Sequence, residues 1–265
     1  MTDVKRANIL FLEGKVDEAL ELYKAGAGEG DRECAFNYGY CLYHGYGVPV
    51  SRSEAKSYFV FASELAGGDS LYNLAVMYLY GDGVKRDFKR CYEYMRDAAS
   101  LGSIEAMLYL GIAHTLGSLF EPDVRFISRI PFHKAEYMRE LGELYGFVPD
   151  RDAEADEEAR MTAVRLDPVT AFEYFRAAAR QDSTYTEELS RTAKYLYARC
   201  FLDGLGTDFN LKRAGELMLI AASEGSAEAM YYLQTDAPYL LETLDNDVAL
   251  NFLKRREGIG SPKEE

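Results

Sequence analysis

A 36-residue period restricts this chain's fold more than any other feature. The segments beginning at Cys34, Ser70, Ala106, Ala193 and Ala229 match position by position. Residues 34–48 read CAFNYGYCLYHGYGV, 70–84 read SLYNLAVMYLYGDGV, and 106–117 read AMLYLGIAHTLG. Residues 193–207 read AKYLYARCFLDGLGT, and the last copy begins AMYYLQ at 229. The starts at 34, 70 and 106 are 36 apart, as are 193 and 229, whereas 106 and 193 are separated by 87. A period of this length marks a supersecondary unit that buries its apolar face only by stacking on its neighbours.

Each copy holds two helical patterns. In the first, Tyr72, Ala75, Val76 and Leu79 fall at i, i+3, i+4 and i+7, one buried stripe of a helix. Gly39, Ala75, Gly111 and Ala198 share one equivalent position, where a missing side chain lets a neighbouring helix come close. A helical glycine costs about 1 kcal/mol relative to alanine, so packing must offset it. The second pattern places a small residue before two bulky and then two small ones. Its copies are Ala55…Tyr58-Phe59…Ala62-Ser63, Cys91…Tyr94-Met95…Ala98-Ala99, Ala171…Tyr174-Phe175…Ala178-Ala179 and Ala214…Leu217-Met218…Ala221-Ala222. Such alternation supplies knobs and holes to facing helices. Glycine pairs at 45/47, 81/83 and 204/206 join the two helices, and Gly102 and Gly225 suit left-handed caps after the second.

Ala7, Leu10, Gly14, Ala19 and Tyr23 repeat the same logic in a shorter form. Val248, Leu250, Phe252 and Leu253 suit a last covering helix. These readings predict a single solenoid over 1–258, with units near 3–30, 34–69, 70–105, 106–183, 186–226 and 227–257. A disordered tail, 259–265, follows.

The pattern A-x-Y-x-L-G-x-x-Y-x-x-G-x-G-V, then K-A-x-x-Y-x-x-A-A-x-x-G, is nearly complete in residues 70–102. In this the chain resembles the Sel1-like repeat family, a relative of the tetratricopeptide repeat. The resemblance implies an all-α fold, a right-handed α/α superhelical solenoid of antiparallel helix pairs with first helices lining the concave side. It also implies a non-catalytic protein–protein interaction scaffold or adaptor. One branch of that family joins its repeats by disulfides between cysteines eight apart. Here that spacing sets Cys34 against Gly26, and Cys91 against Ala99 or Gly83, a departure from that branch.

An insertion, 118–166, replaces the glycine turn of the third full repeat. Asp167-Pro168 restarts the second helix as N-cap and first helical residue. Within the insertion, HKAEYMRELGELYGF (133–147) has the spacing of an amphipathic helix, and DRDAEADEEAR (150–160) carries six acids in eleven residues. It reads as a docking element for a basic partner, a lid over the groove, or a solvated loop with one helix packed down. A lid would suit the alternative function, an enzyme or small-molecule-binding protein.

The net charge of −14 repels phosphate backbones and anionic lipid, which argues against nucleic-acid binding. No run of eighteen apolar residues exists to cross a membrane, and Glu13, Lys15 and Asp17 interrupt any secretory core near the start. Cys34, Cys41, Cys91 and Cys200 form no C-x-x-C pair and read as reduced, buried thiols of a cytoplasmic chain. The glycine pairs follow helices and lack the third glycine of a dinucleotide fingerprint, with Val50, Arg86 and Phe209 in its place. Residues 150–161 imitate a calcium loop but put Ala155 at the turn and Met161 at the bidentate position. His44, His114 and His133 make no metal motif, and no nucleophile elbow occurs. The expectation is therefore no catalytic residue, no metal and no cofactor. Lys85-Arg86 and Lys89-Arg90 read as a solvated, ion-paired helix start.

If first helices line the groove, the residues two before the small position point into it: Asn37, Asn73, Tyr109, Leu196 and Tyr232. Their one-turn neighbours Tyr40, Val76 and Arg199, with Tyr80 and His44 near the helix ends, complete a mixed aromatic and polar surface. Asparagines spaced like Asn37 and Asn73 can grip an extended peptide backbone, since an amide both donates and accepts. Asn8 extends the row. This resembles the asparagine part of the carboxylate clamp in peptide-binding tetratricopeptide domains, without its lysines. A protein or peptide partner in the groove is the expectation.

Overall fold

The computed structural model describes residues 3–64, 67–119, 163–181 and 187–244. Among them all regular structure is helical: α1 (Asp3–Leu12), α2 (Val16–Gly28), α3 (Arg32–His44), α4 (Arg52–Glu64), α5 (Gly68–Tyr80), α6 (Phe88–Ser100) and α7 (Ile104–Leu116). They continue with α8 (Pro168–Ala179), α9 (Glu187–Asp203), α10 (Leu211–Ser223), α11 (Ala227–Gln234) and a 3-10 helix, Pro238–Thr243. The expected helix at 133–147, the acidic stretch 150–160, the covering helix near Val248–Leu253 and the tail 259–265 lie outside the described residues.

The helices gather into two compact units, Met1–Ala106 and Met107–Glu265. In the first, each helix packs on the next: α1 on α2, then α3, α4, α5 and α6 in turn. Ala7, Ala19, Cys34, Ala55, Phe59, Leu74 and Met77 form its core, none more than 1% exposed. In the second, α9 lies against α8 and α10, and α10 carries both α11 and the 3-10 helix.

The small-against-large pairing read from the repeats is the packing rule. A Cβ on Gly39 would stand 3.1 Å from Cε1 of Phe59, and one on Gly111 only 2.5 Å from Cε1 of Phe175. Ala75 and Ala198 hold the same position in their copies, both fully buried. The bulky second-helix residues Phe59, Met95, Phe175 and Met218 are all 0% exposed. Burying one such side chain stabilises by about 2–3 kcal/mol, which offsets the helix cost of glycine.

The turn between the two helices of a repeat is closed by the same bonds each time. Gly45 N–H donates to the Cys41 carbonyl at 2.8 Å, and Ser51 N–H to the Leu42 carbonyl at 2.9 Å. Gly81 to Met77, Asp87 to Tyr78 and Asn210 to Phe201 repeat them at 2.8–3.0 Å. The interrupted copy makes them too, from Gly117 to Ala113 at 2.8 Å and from Asp167 to His114 at 2.9 Å. Gly45 and Gly47 sit at φ +80° and +68°, backbone that a residue with a Cβ rarely adopts, which is why the turn recurs as a glycine pair.

Capping follows the sequence. Asp167 accepts from the N–H groups of Val169 and Thr170 and from the Thr170 hydroxyl, with Pro168 as the first helical residue. Asp31, Asp87, Asn210 and Ser226 cap their helices likewise. The last repeat departs from the others, since α11 runs into the 3-10 helix. A Cβ on Gly215 of α10 would stand 3.0 Å from the Leu240 carbonyl, so glycine there admits the backbone.

Candidate partner-binding surface

In the first unit, Asn37 and Tyr40 lie on α3, and Asn73, Val76 and Tyr80 on α5. The Asn37 side-chain amide donates to Asn8 Oδ1 at 3.2 Å, and the same oxygen accepts from the Tyr23 hydroxyl at 2.7 Å. Burial pushes the Tyr23 phenol up to about 12, so it remains a donor. Asn73 instead turns back on its own helix, donating to the Asp69 carbonyl at 2.8 Å. The two asparagines are half-buried and share no bond with each other. Asn8, rather than Asn73, is the partner of Asn37.

Beside these amides runs a row of rings. Tyr40 lies 4.3 Å from His44, which stacks on Tyr46 at 5.5 Å and 26°. Phe11 of α1 meets Tyr46 edge-on at 5.9 Å, and Phe36 lies 6.3 Å from Tyr40. Tyr40 is 36% and Tyr46 44% exposed, while Leu12 at the end of α1 is 86% exposed. Burial, and then the Arg52 charge, push the His44 imidazole below its ordinary 6.5. It is therefore neutral at pH 7 and adds no charge to the row.

The sequence reading missed Tyr46. It stands between the two turn glycines, where the other copies carry Asp82 and Leu205, and a ring at a solvent-facing turn was the available signal.

In the second unit the expected groove residues are spent on the interior. Tyr109 and Leu196 are each 1% exposed, so neither offers a side chain to a partner in this structure. Arg199, 6% exposed, is ion-paired with Asp203 at 3.0 Å and donates to the Tyr195 hydroxyl at 3.1 Å. Its guanidinium lies 4.7 Å from the ring centre of half-buried Tyr232. Leu196, Arg199 and Tyr232 form packing and an internal ion pair where α8, α10 and α11 lie against α9, and Tyr109 of α7 is buried as well.

His114 also packs inward, stacking on Tyr174 with Nδ1 2.9 Å from the Arg165 carbonyl. The four cysteines are buried. Burial pushes the Cys41 thiol up to about 11 and Cys91 up to about 12, far from the thiolate a nucleophile requires. Among the described residues no group of three His, Cys, Asp or Glu side chains is placed to hold a metal ion. No described helix is long and apolar enough to cross a membrane.

The Sel1 repeat profile matches residues 32–66, 68–103, 162–183 and 192–226. The chain belongs to the Sel1 repeat family. It is 23% identical over 264 residues to chitin synthase regulatory factor 3 of Schizosaccharomyces pombe, a match covering 96% of this chain but 27% of that protein. The chain thus spans about a quarter of that relative's length. Similar solved structures include a Sel1 repeat protein from Oxalobacter formigenes, 17% identical over 96% of this chain and 99% of the other, with a TM-score of 0.43. A protective antigen of uropathogenic Escherichia coli with an SLR fold is 19% identical over 98% of this chain and 61% of the other, with a TM-score of 0.41. The Sel1 profile recovers only the second half of the interrupted repeat, from 162. Its first helix, α7, is tied to that half by the bond between Asp167 and His114.

Proposed function

We propose that this Sel1 repeat chain is a non-catalytic interaction module that holds a partner protein or peptide on the first-helix face of its N-terminal unit. The observation that carries this reading is the exposed ring row of Tyr40, His44 and Tyr46 with Phe11, beside the Asn8–Asn37 amide pair. Tyrosines bring large contact area at low entropic cost and dominate interface energetics. The amides supply donors and acceptors for a peptide backbone, as in recognition of extended segments. Sel1 repeats as a class mediate protein interaction, which supports the reading. So does the name of the Schizosaccharomyces pombe relative, a regulatory factor.

A photo-crosslinking residue at position 46, compared with one at exposed position 57 on α4, tests the proposal in native lysate. A defined protein is expected to be captured from 46 and not from 57. Tyr40→Ala with Tyr46→Ala should then weaken its binding by at least about thirtyfold, the scale of a lost aromatic hot spot. Equal capture from both positions, or binding unchanged by the double substitution, would remove the ring row from the interface.

A further inference from the structure

The turn edge of the first unit carries a second feature, built from different side chains. Gly83 of the α5–α6 turn sits directly on the first residue of α4, where its Cβ would stand 2.7 Å from that of Arg52. Arg52 reaches Asp82 at 3.4 Å and lies 5.7 Å from the centre of the Tyr43 ring. Tyr43 donates its hydroxyl to the same carboxylate at 2.7 Å. One turn further along α4, Lys56 lies 5.7 Å from the centre of the Tyr78 ring. Arg90 of α6 comes within 5.4 Å of that ring and donates to the Tyr78 hydroxyl at 3.0 Å. Two cations from different helices thus converge on one tyrosine, itself stacked on Tyr94 at 5.6 Å.

Two acids of this stretch, Asp82 and Asp87, are already engaged. Asp82 is held by Arg52 and Tyr43, and Asp87 caps α6 through the Arg90 N–H and pairs with the Arg90 side chain at 3.5 Å. Lys56, Lys85 and Lys89 have no acidic partner among the described residues, and Arg86 lies over Phe88 at 5.9 Å. Glu54 and Glu93, on the same two helices, form no ion pair with these cations. The expected ion-paired helix start therefore holds for Arg90, but not for Lys85 or Lys89. In a chain of net charge −14, Lys85 and Lys89 thus present positive charge that no acid pairs among the described residues.

We infer that this edge docks an acidic segment of a partner protein, with Lys85 and Lys89 as its main contacts and Lys56 and Arg90 held against Tyr78 beside them. Cations ordered over an aromatic ring lose less freedom on pairing than free lysines do. A short acidic peptide fits this local patch. A long polyanion would run onto the acidic remainder of the surface and be repelled.

The test is fluorescence anisotropy of a labelled twelve-residue Asp/Glu peptide against the full chain. Its Asn/Gln counterpart serves as control. At about 50 mM salt the acidic peptide should bind and the control should not, with affinity falling steeply toward 500 mM as screening grows. Lys85→Glu with Lys89→Glu should cost at least about tenfold, the scale of two reversed surface pairs. Lys85→Arg with Lys89→Arg should retain binding. Lys56→Gln, a milder change, should weaken binding and covers the case in which the double reversal does not fold. Equal binding of both peptides, or no loss in the charge-reversal and Lys56 variants, would overturn the inference. So would tighter binding of a twelve-nucleotide single-stranded DNA or of phosphatidylserine vesicles.

Discussion

Asp167 donates its backbone N–H to the carbonyl of His114 at 2.9 Å, closing across 53 positions the turn that Asp87 and Tyr78 close across nine. The insertion thus leaves from and returns to one ordinary repeat turn. Loop closure costs only about 1.5 kcal/mol more for 53 residues than for nine, because the entropy grows with the logarithm of length.

Replacement of 118–166 by the sequence of 82–86, Asp-Gly-Val-Lys-Arg, should therefore leave the repeat intact. The expected product keeps its helical circular dichroism but melts below the parent, because buried Leu119 and Val164 and the Arg165 carbonyl that meets His114 leave with the insertion. Loss of helicity would show that the insertion is part of the unit's core.

Gly111→Ala should destabilise by about 1–3 kcal/mol, since its methyl meets Phe175 at 2.5 Å in a packed core. Gly39→Ala meets Tyr58 and Phe59 at 3.0–3.2 Å, and alanine's better helix propensity of about 1 kcal/mol should offset that contact. Urea unfolding of the two variants should place Gly111→Ala clearly below Gly39→Ala.

Asp203→Ala should cost about 3–5 kcal/mol, because it leaves the Arg199 guanidinium buried without its carboxylate. Arg199→Met with Asp203→Leu should be less damaging than Asp203→Ala, as both charges are then removed. Chemical denaturation of the three chains checks the order, and a double variant worse than the single would contradict it.

Glu105 is held above its ordinary 4.5, first by burial, with the Asp69 charge adding to the shift. A carboxyl raised on folding contributes stability that is complete below pH 4.5 and is lost as pH rises through its folded value. Glu105→Gln removes that loss while keeping an acceptor for the Ser103 hydroxyl, 3.1 Å away. It should melt higher than the parent at pH 7, with the gap closing by about pH 4.5. Thermal melts across pH 4–8 measure this, and a constant gap would assign the effect to packing instead.

Side-chain exposure was only partly legible in the repeat spacing. Asn37 and Tyr40 emerged from repeat spacing and do lie beside one another at the ring row. Spacing also assigned Tyr109, Leu196 and Arg199 to the open face, and there it failed. Equivalent positions share a helix phase, but not the neighbours that cover them.

What the sequence determined by itself was local and periodic: the helix pairs, the glycine turns that need positive φ, the caps, and the small residue facing each bulky one. Those follow from backbone sterics and a 3.6-residue period within a few turns of chain. Only the tertiary structure decided which surfaces stay open. It buried Arg199 against Asp203 and Tyr232, gathered half-buried Phe11 with Tyr40, His44 and Tyr46 into one row, and left Lys85 and Lys89 without an acidic partner among the described residues. Exposure and charge pairing depend on contacts between residues far apart in the chain, and a repeat pattern does not carry them.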